Sequence, residues 1–159
     1  MKIFAAAVFC AVLALPVSAQ TDITLGGVNA DPEAPVEITA DSLSVDQDSG
    51  LALFTGNVVV GQGDLRLSAG RVEVKYDDQT GEVTSLAITG GVTFVTETEA
   101  AESDAADYDI ENGVLILTGN VLVTQGASAI SADRMQVDLE NGSARMDGNV
   151  RTIFNQGDN

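Results

Sequence analysis

From Val36 onward the chain alternates. Val, Ile, Leu and Thr take turns with polar residues, in runs that clusters of Asp, Asn, Gly and Gln interrupt at 46–50, 61–64, 77–81, 111–113, 125–126 and 140–142. Period two with turn residues between the runs is the pattern of antiparallel strands joined by hairpins, and no run has the spacing of an ordinary helix. The least regular interval, Thr96 to Ala105, is acidic and Ala-rich and reads as a loop or one helical turn.

The alternation carries a defect that recurs. Ile38 and Ala40 are followed by Leu43 and Val45, Leu67 and Ala69 by Val72 and Val74, and Ile130 and Ala132 by Met135 and Val137. Leu53 and Thr55 are likewise followed by Val58 and Val60, and Thr118 by Val121. Each is read as a three-residue step where a strand requires two, so a straight strand would turn its apolar side to water beyond the step. The chain must bulge or bend there. The pattern predicts about eight antiparallel strands in series, each roughly ten to twelve residues long and bent near its middle. Aligned bends fold such a sheet into an all-β, V-shaped roll of the jellyroll kind, with an apolar trough in the crease. Small residues at the inward corners, Ala40, Ala69 and Ala132, leave space in that trough; they are equally compatible with an ordinary sandwich core that has tight corners.

The steps belong to a repeat. Thr55-Gly56-Asn57-Val58 and Thr118-Gly119-Asn120-Val121 are each followed by Val and Gln-Gly, at an offset of 63 residues that also carries Gly50 to Gly113 and Arg71 to Arg134. Weaker copies at Gly90 and Gly148 extend the series, with intervals of 34, 29 and 29. An internal duplication of one structural unit follows, and Gly56, Gly90, Gly119 and Gly148 are the predicted bends, since Gly tolerates the backbone a corner needs.

The start of the chain reads as an address. Lys2, the apolar run Ile3 to Leu15 and the small residues before Gln20 form a signal peptide with its cut near Ala19, and the run is too short to span a bilayer. Residues 20–35 read as a flexible lead-in, 36–155 as one β domain and 156–159 as a tail. The single cysteine, Cys10, lies in the leader, so an exported mature chain holds its fold by core and backbone ladder without disulfides.

Seven basic residues stand against 24 acidic ones, a net charge of -17, which argues against nucleic acid as a partner. The chain has no histidine, and Cys10 leaves with the leader, so His-assisted nucleophiles and His- or Cys-based metal sites are excluded and the protein is not expected to be an enzyme or to carry a cofactor or metal. Asp46-Gln47-Asp48-Ser49-Gly50 has the start of a calcium loop but not its following ligands, and reads as a hairpin turn.

Pro35-Val36-Glu37-Ile38-Thr39-Ala40-Asp41, the two Thr-Gly-Asn-Val copies with their Gln-Gly, the corner Ser131-Ala132-Asp133-Arg134 and the closing Gly148-Asn149-Val150 resemble, in order and over nearly the whole mature chain, the OstA-like family of lipopolysaccharide transport proteins. The family fold is a bent antiparallel roll. The resemblance implies a periplasmic bridge protein that holds lipopolysaccharide by its lipid A acyl chains and passes it from the inner to the outer membrane. By motif position Val36, Ile38, Phe94, Tyr108 and Ile110 match the family's lipid-contacting strands. Inward parity alone adds Leu53, Val58, Val60, Val72, Val121 and Val123. The open sheet edges, 36–46 and 143–154, are templates for strand addition. The resemblance assigns an LptC-like inner-membrane partner to the first, an LptD-like outer-membrane partner to the second, and head-to-tail self-association to both. A scaffold that uses its edges only to assemble, around a filled core, and a membrane-anchored LptC-like paralogue are the competing readings.

Overall fold

The corners are where the fold is decided. The computed structural model describes residues 21–24, 34–46, 48–95 and 99–154; the leader, most of the lead-in and the tail lie outside the described residues. The described strands are β1 (Thr21–Thr24), β2 (Glu37–Thr39), β3 (Ser42–Asp46), β4 (Leu51–Gln62), β5 (Leu65–Tyr76), β6 (Val83–Val95), β7 (Glu99–Asp109), β8 (Val114–Gln125), β9 (Ser128–Asp138), β10 (Ser143–Asp147) and β11 (Arg151–Ile153). They form one antiparallel sheet in the order β1-β10-β9-β8-β7-β6-β5-β4-β2, with β3 also on β4 and β11 also on β9. Because β2 with β3, and β10 with β11, are the two halves of single broken strands, the predicted series of eight bent strands is present.

Every ladder breaks at the same level. Register shifts at this level fall between Thr55 and Val58, Ser68 and Arg71, Thr89 and Val92, Glu102 and Ala105, and Thr118 and Val121, with one further shift, between Lys75 and Tyr76, at the free end of the β5–β6 ladder. They divide the sheet into two walls, one carrying β3 and β10 and the other carrying β2 and β11. The inner faces of both walls contribute to a single apolar core.

Two kinds of corner alternate. On β5, β7 and β9 the inward series skips three residues, as from Ala69 to Val72 and from Ala132 to Met135. On β4, β6 and β8 it skips four: Phe54 to Val58, Ile88 to Val92 and Leu117 to Val121. One extra residue on every second strand is a β-bulge repeated along one line, and a bulged strand bends. This corrects the expected three-residue step at the Gly-Asn corners. Ala52 and Phe54, not Leu53, lead to Val58, so Leu53 lies between Ser44 and Glu73 on the outer face. The sequence misleads there because Leu51 and Leu53 are the larger apolar residues and Ala52 is small.

The extra residue takes a left-handed backbone. Gly56, Gly119 and Gly148 have φ of 81°, 78° and 78°, and the Asn after each has φ of 46°, 48° and 47°. Asn tolerates that region through its short polar side chain, and here the side chain is also used. The Nδ2 of Asn57, Asn120 and Asn149 donates to the Oδ2 of Asp41, Asp104 and Asp133 at 2.9, 2.8 and 2.8 Å. A Cβ on Gly56, Gly119 or Gly148 would stand 2.5 Å from that same Asp Oδ2. The fourth corner has the same backbone without side chains: Gly90 and Gly91 are left-handed opposite Gly70, and a Cβ on Gly90 would meet the Gly70 Cα at 3.1 Å.

The hairpins at the end of the β3 wall repeat as well. Each reads Asp-x-x-x-Gly, with Asp46, Asp77, Asp109 and Asp138 accepting backbone N–H bonds from the turn and Gly50, Gly81, Gly113 and Gly142 left-handed. Asp46 is therefore occupied in its own turn, and the same bonds hold the Asp46 and Asp77 carboxyls below the usual carboxylate range.

Two expectations along the chain fail. The interval 96–105 is not a loop or helical turn from Glu99 on, because β7 runs to Asp109 paired on both sides, by β6 and β8. Its alternation is carried by Ala and Ser, which have little strand preference of their own, and two-sided pairing overrides that. Within the lead-in, Thr21–Thr24 forms β1 against β10 with Ile23 opposite Ala144. The C-terminal edge, expected to be unpaired over 143–154, is thus covered along β10, and among the described residues no strand covers β11.

Gly119→Ala is expected to destabilise the fold by about 2 kcal/mol or more, through left-handed strain and the contact with Asp104. Gly91→Ala, with nothing within 4 Å of its Cβ, carries the strain alone and should lose about 1 kcal/mol. Urea unfolding of the two variants measures the difference; equal losses would mean that the Asp contact is not part of the corner.

Candidate functional site

The apolar interior between the walls is the site that the sequence points to. Phe94, Val58, Val60, Val121 and Val123 stand on the β2 wall and Val72 and Tyr108 on the β3 wall, all between 0 and 4 % exposed. Ile110 is 9 % exposed at the free end of the β3 wall, and Val36 and Ile38 are half-buried on the edge strand of the β2 wall. The structure therefore brings ten of the eleven candidate groove residues to the inner face and leaves Leu53 outside. It also fills the crease. Ala40, Ala69 and Ala132 sit at the inward corners as expected, yet the walls meet and the larger side chains between them exclude solvent.

Apolar surface emerges at both ends of the interior. Leu43 and Val45, opposite Phe54 and Ala52 in the inner rows, are exposed because β3 is an edge strand. At the other end Val150 and Phe154 share the parity of Thr152, which stands opposite the half-buried Ile130, and Phe154 is 74 % exposed.

Polar residues close the free ends of the walls. Tyr108 on the β3 wall donates its phenol hydrogen to Gln62 Oε1 on the β2 wall at 2.6 Å, and both side chains are 1 % exposed. The Gln62 Nε2 in turn donates to the Ala34 carbonyl at 3.1 Å, which ties the segment leading into β2 to the same point. Burial, with the Asp109 carboxylate beside it, pushes the Tyr108 phenol up to about 12, so it remains a donor at any physiological pH. The repeat-related Gln125 instead donates to the buried Glu99, at 2.5 Å. A cleft of roughly 690 Å³ opens beside Gln62, between the ends of the two walls. Ala34, Pro35, Val36, Val83 and Ile110 give it an apolar floor, and Asp77, Glu82 and Glu111 an acidic rim.

Parity reasoning did not single out Gln62 or Glu99. The available signal was Gln62 itself, a polar residue that recurs at the same offset as the corner glycines and at the end of an inward row.

Because an unfolded tyrosine ionises near 10, the unfolded chain releases the Tyr108 proton before the folded one does. Its contribution to stability is fully present below about pH 10 and is lost as pH rises to about 12. Thermal unfolding across that window is expected to fall more steeply for the wild type than for Tyr108→Phe; parallel curves would contradict the buried donor.

A family model described as LptA/(LptD N-terminal domain) LPS transport protein matches residues 37–143 and 101–158. The lipopolysaccharide export system protein LptH of Pseudomonas aeruginosa is 31 % identical over 75 residues, covering 47 % of this chain and 42 % of that protein. The lipopolysaccharide export system protein LptA of Escherichia coli K12 is 38 % identical over 47 residues, 30 % of this chain and 25 % of that protein. The alignments thus span less than half the length of these relatives. The crystal structure of the P. aeruginosa LptH, described as the LptA homologous periplasmic component of the lipopolysaccharide transport device, superposes with a TM-score of 0.70 at 18 % identity, over 80 % of this chain and 99 % of that one. The fold is shared, and the family model spans the corners and both walls: the chain belongs to the family of LptA and the LptD N-terminal domain, the lipopolysaccharide transport proteins.

Proposed function

We propose that this protein is a periplasmic bridge component that binds lipopolysaccharide by its acyl chains between the two walls and hands it from the inner toward the outer membrane. The observation that carries the reading is the inner face itself: an apolar row on each wall, ending in the exposed Leu43 and Val45 at the β3 edge of one wall and in the exposed Val150 and Phe154 at the β11 edge of the other. Apolar rows that end exposed at opposite edges of the sheet can be continued by a neighbour. Membership of a lipopolysaccharide transport family supports lipopolysaccharide as that lipid.

The energetics favour acyl chains. Each methylene moved from water contributes about 0.8 kcal/mol, so a few partly buried chains hold the lipid without basic residues. Since the walls of the chain alone are in contact, binding exchanges wall-to-wall contacts for wall-to-chain contacts and requires the roll to widen. Val36, Ile38, Val58, Val60, Val72, Phe94, Tyr108, Ile110, Val121 and Val123 are the proposed contacts.

Edge pairing supplies the hand-over. The β2 and β3 edge accepts a strand from an LptC-like inner-membrane partner, and β11 pairs with an LptD-like outer-membrane partner. Joining unlike edges is a heterologous contact, so a second copy of this chain can stand in for either partner. A single observation favours another reading: the filled core suits a scaffold that only assembles through its edges.

A photo-crosslinking residue at Ile38 or Phe94 separates the two. Illumination with lipopolysaccharide is expected to yield a lipid adduct at both positions, and no adduct at either would leave the scaffold.

A further inference from the structure

Resting on the reading of the interior as a lipid site, we propose that an acyl chain enters sideways through the cleft between the free ends of the walls, and that the Tyr108–Gln62 hydrogen bond is the latch of this port. Here an apolar-floored opening reaches the inner row directly, because Ile110 belongs both to the cleft and to the row that continues through Tyr108. Val36 and Gln62 form the opposite lip, from the other wall. A chain laid into the cleft is therefore one side chain away from the space between the walls, and that side chain is the latch.

The latch has the properties of a gate rather than of a structural rivet. It joins the walls at their free ends, far from the corners, and its two partners come from separate strands, β7 and β4. A neutral hydrogen bond contributes little net free energy when its groups can turn to water, and the cleft lies beside them. Opening is thus accessible, while the closed state leaves neither group unpaired. Gln62 also holds the Ala34 carbonyl, so the same opening frees the lip at Ala34 and Pro35.

The occupant is a single hydrocarbon chain entering tail first. The floor offers aliphatic surface from Val36, Val83 and Ile110, whereas Asp77, Glu82 and Glu111 ring the opening with carboxylates that repel a phosphorylated head. Charge thus holds the head outside as the tail passes.

Stopped-flow binding of N-dansyl-hexadecylamine, a neutral single-chain probe, tests this on the mature protein. Tyr108→Phe removes the latch donor but keeps the ring, and is expected to raise the association rate about two- to tenfold, the size of one net hydrogen bond. Val83→Trp, at the half-buried lip, is expected to lower the rate and to cancel the gain when combined with Tyr108→Phe. Rates unchanged in both single variants, or a Tyr108→Phe gain that persists behind Val83→Trp, would place entry at the sheet edges and overturn the port while leaving the lipid site intact. A wild type that binds neither this probe nor purified lipopolysaccharide would overturn the port and the lipid reading together. Should Tyr108→Phe fail to fold, the Val83→Trp rate decides alone.

Discussion

One extra residue on every second strand, held in a left-handed backbone, is the constraint on which the rest depends. Gly56-Asn57, Gly90-Gly91, Gly119-Asn120 and Gly148-Asn149 each insert it at the same level of the sheet. Where the insert is Gly-Asn, the Asp across the ladder accepts the Asn amide and crowds the Gly so closely that only hydrogen fits. Local conformation and cross-strand chemistry agree at these corners, which is what makes a bend sharp and its position unambiguous. Without the insert the strands would run straight and the apolar rows of one half would face water.

With the bends aligned, the two walls have nothing to pack against but each other. Their inner rows meet in a core of aliphatic residues with few aromatics, and each buried Val or Leu contributes about 1.5–3 kcal/mol to holding the roll closed. On the proposed reading the same apolarity that closes the roll receives hydrocarbon, because an acyl chain offers each wall a surface chemically equivalent to the wall it replaces. The edges add the second property. Among the described residues the sheet leaves β2, β3 and β11 with no further strand beside them, while β1 covers β10.

The sequence carried the architecture further than it carried the interior. Turn clusters, the three-residue steps at Ala40, Ala69 and Ala132, and the repeated Thr-Gly-Asn-Val were enough to reach a bent sheet of eight strands. Leu53 was misplaced because hydropathy weighs Leu over Ala52, and a two-residue corner looks the same in sequence whether one or both of its residues leave the ladder. β7 was illegible because Ala101, Ser103 and Ala106 become inward residues only through strands on either side. The Tyr108–Gln62 bond joins residues 46 apart from opposite walls, a pairing that no local pattern encodes.

The central claim is that lipid is held between the walls and that the roll widens to hold it. The most direct measurement is a spin-label distance between the free ends of the walls. Asp64→Cys on the hairpin after β4 and Glu82→Cys beside β6 suit it, in a chain whose only other cysteine is Cys10. Saturating lipopolysaccharide is predicted to lengthen and sharpen that distance, and removal of the lipid to restore it. A distance that stays unchanged while lipopolysaccharide is bound would contradict the claim.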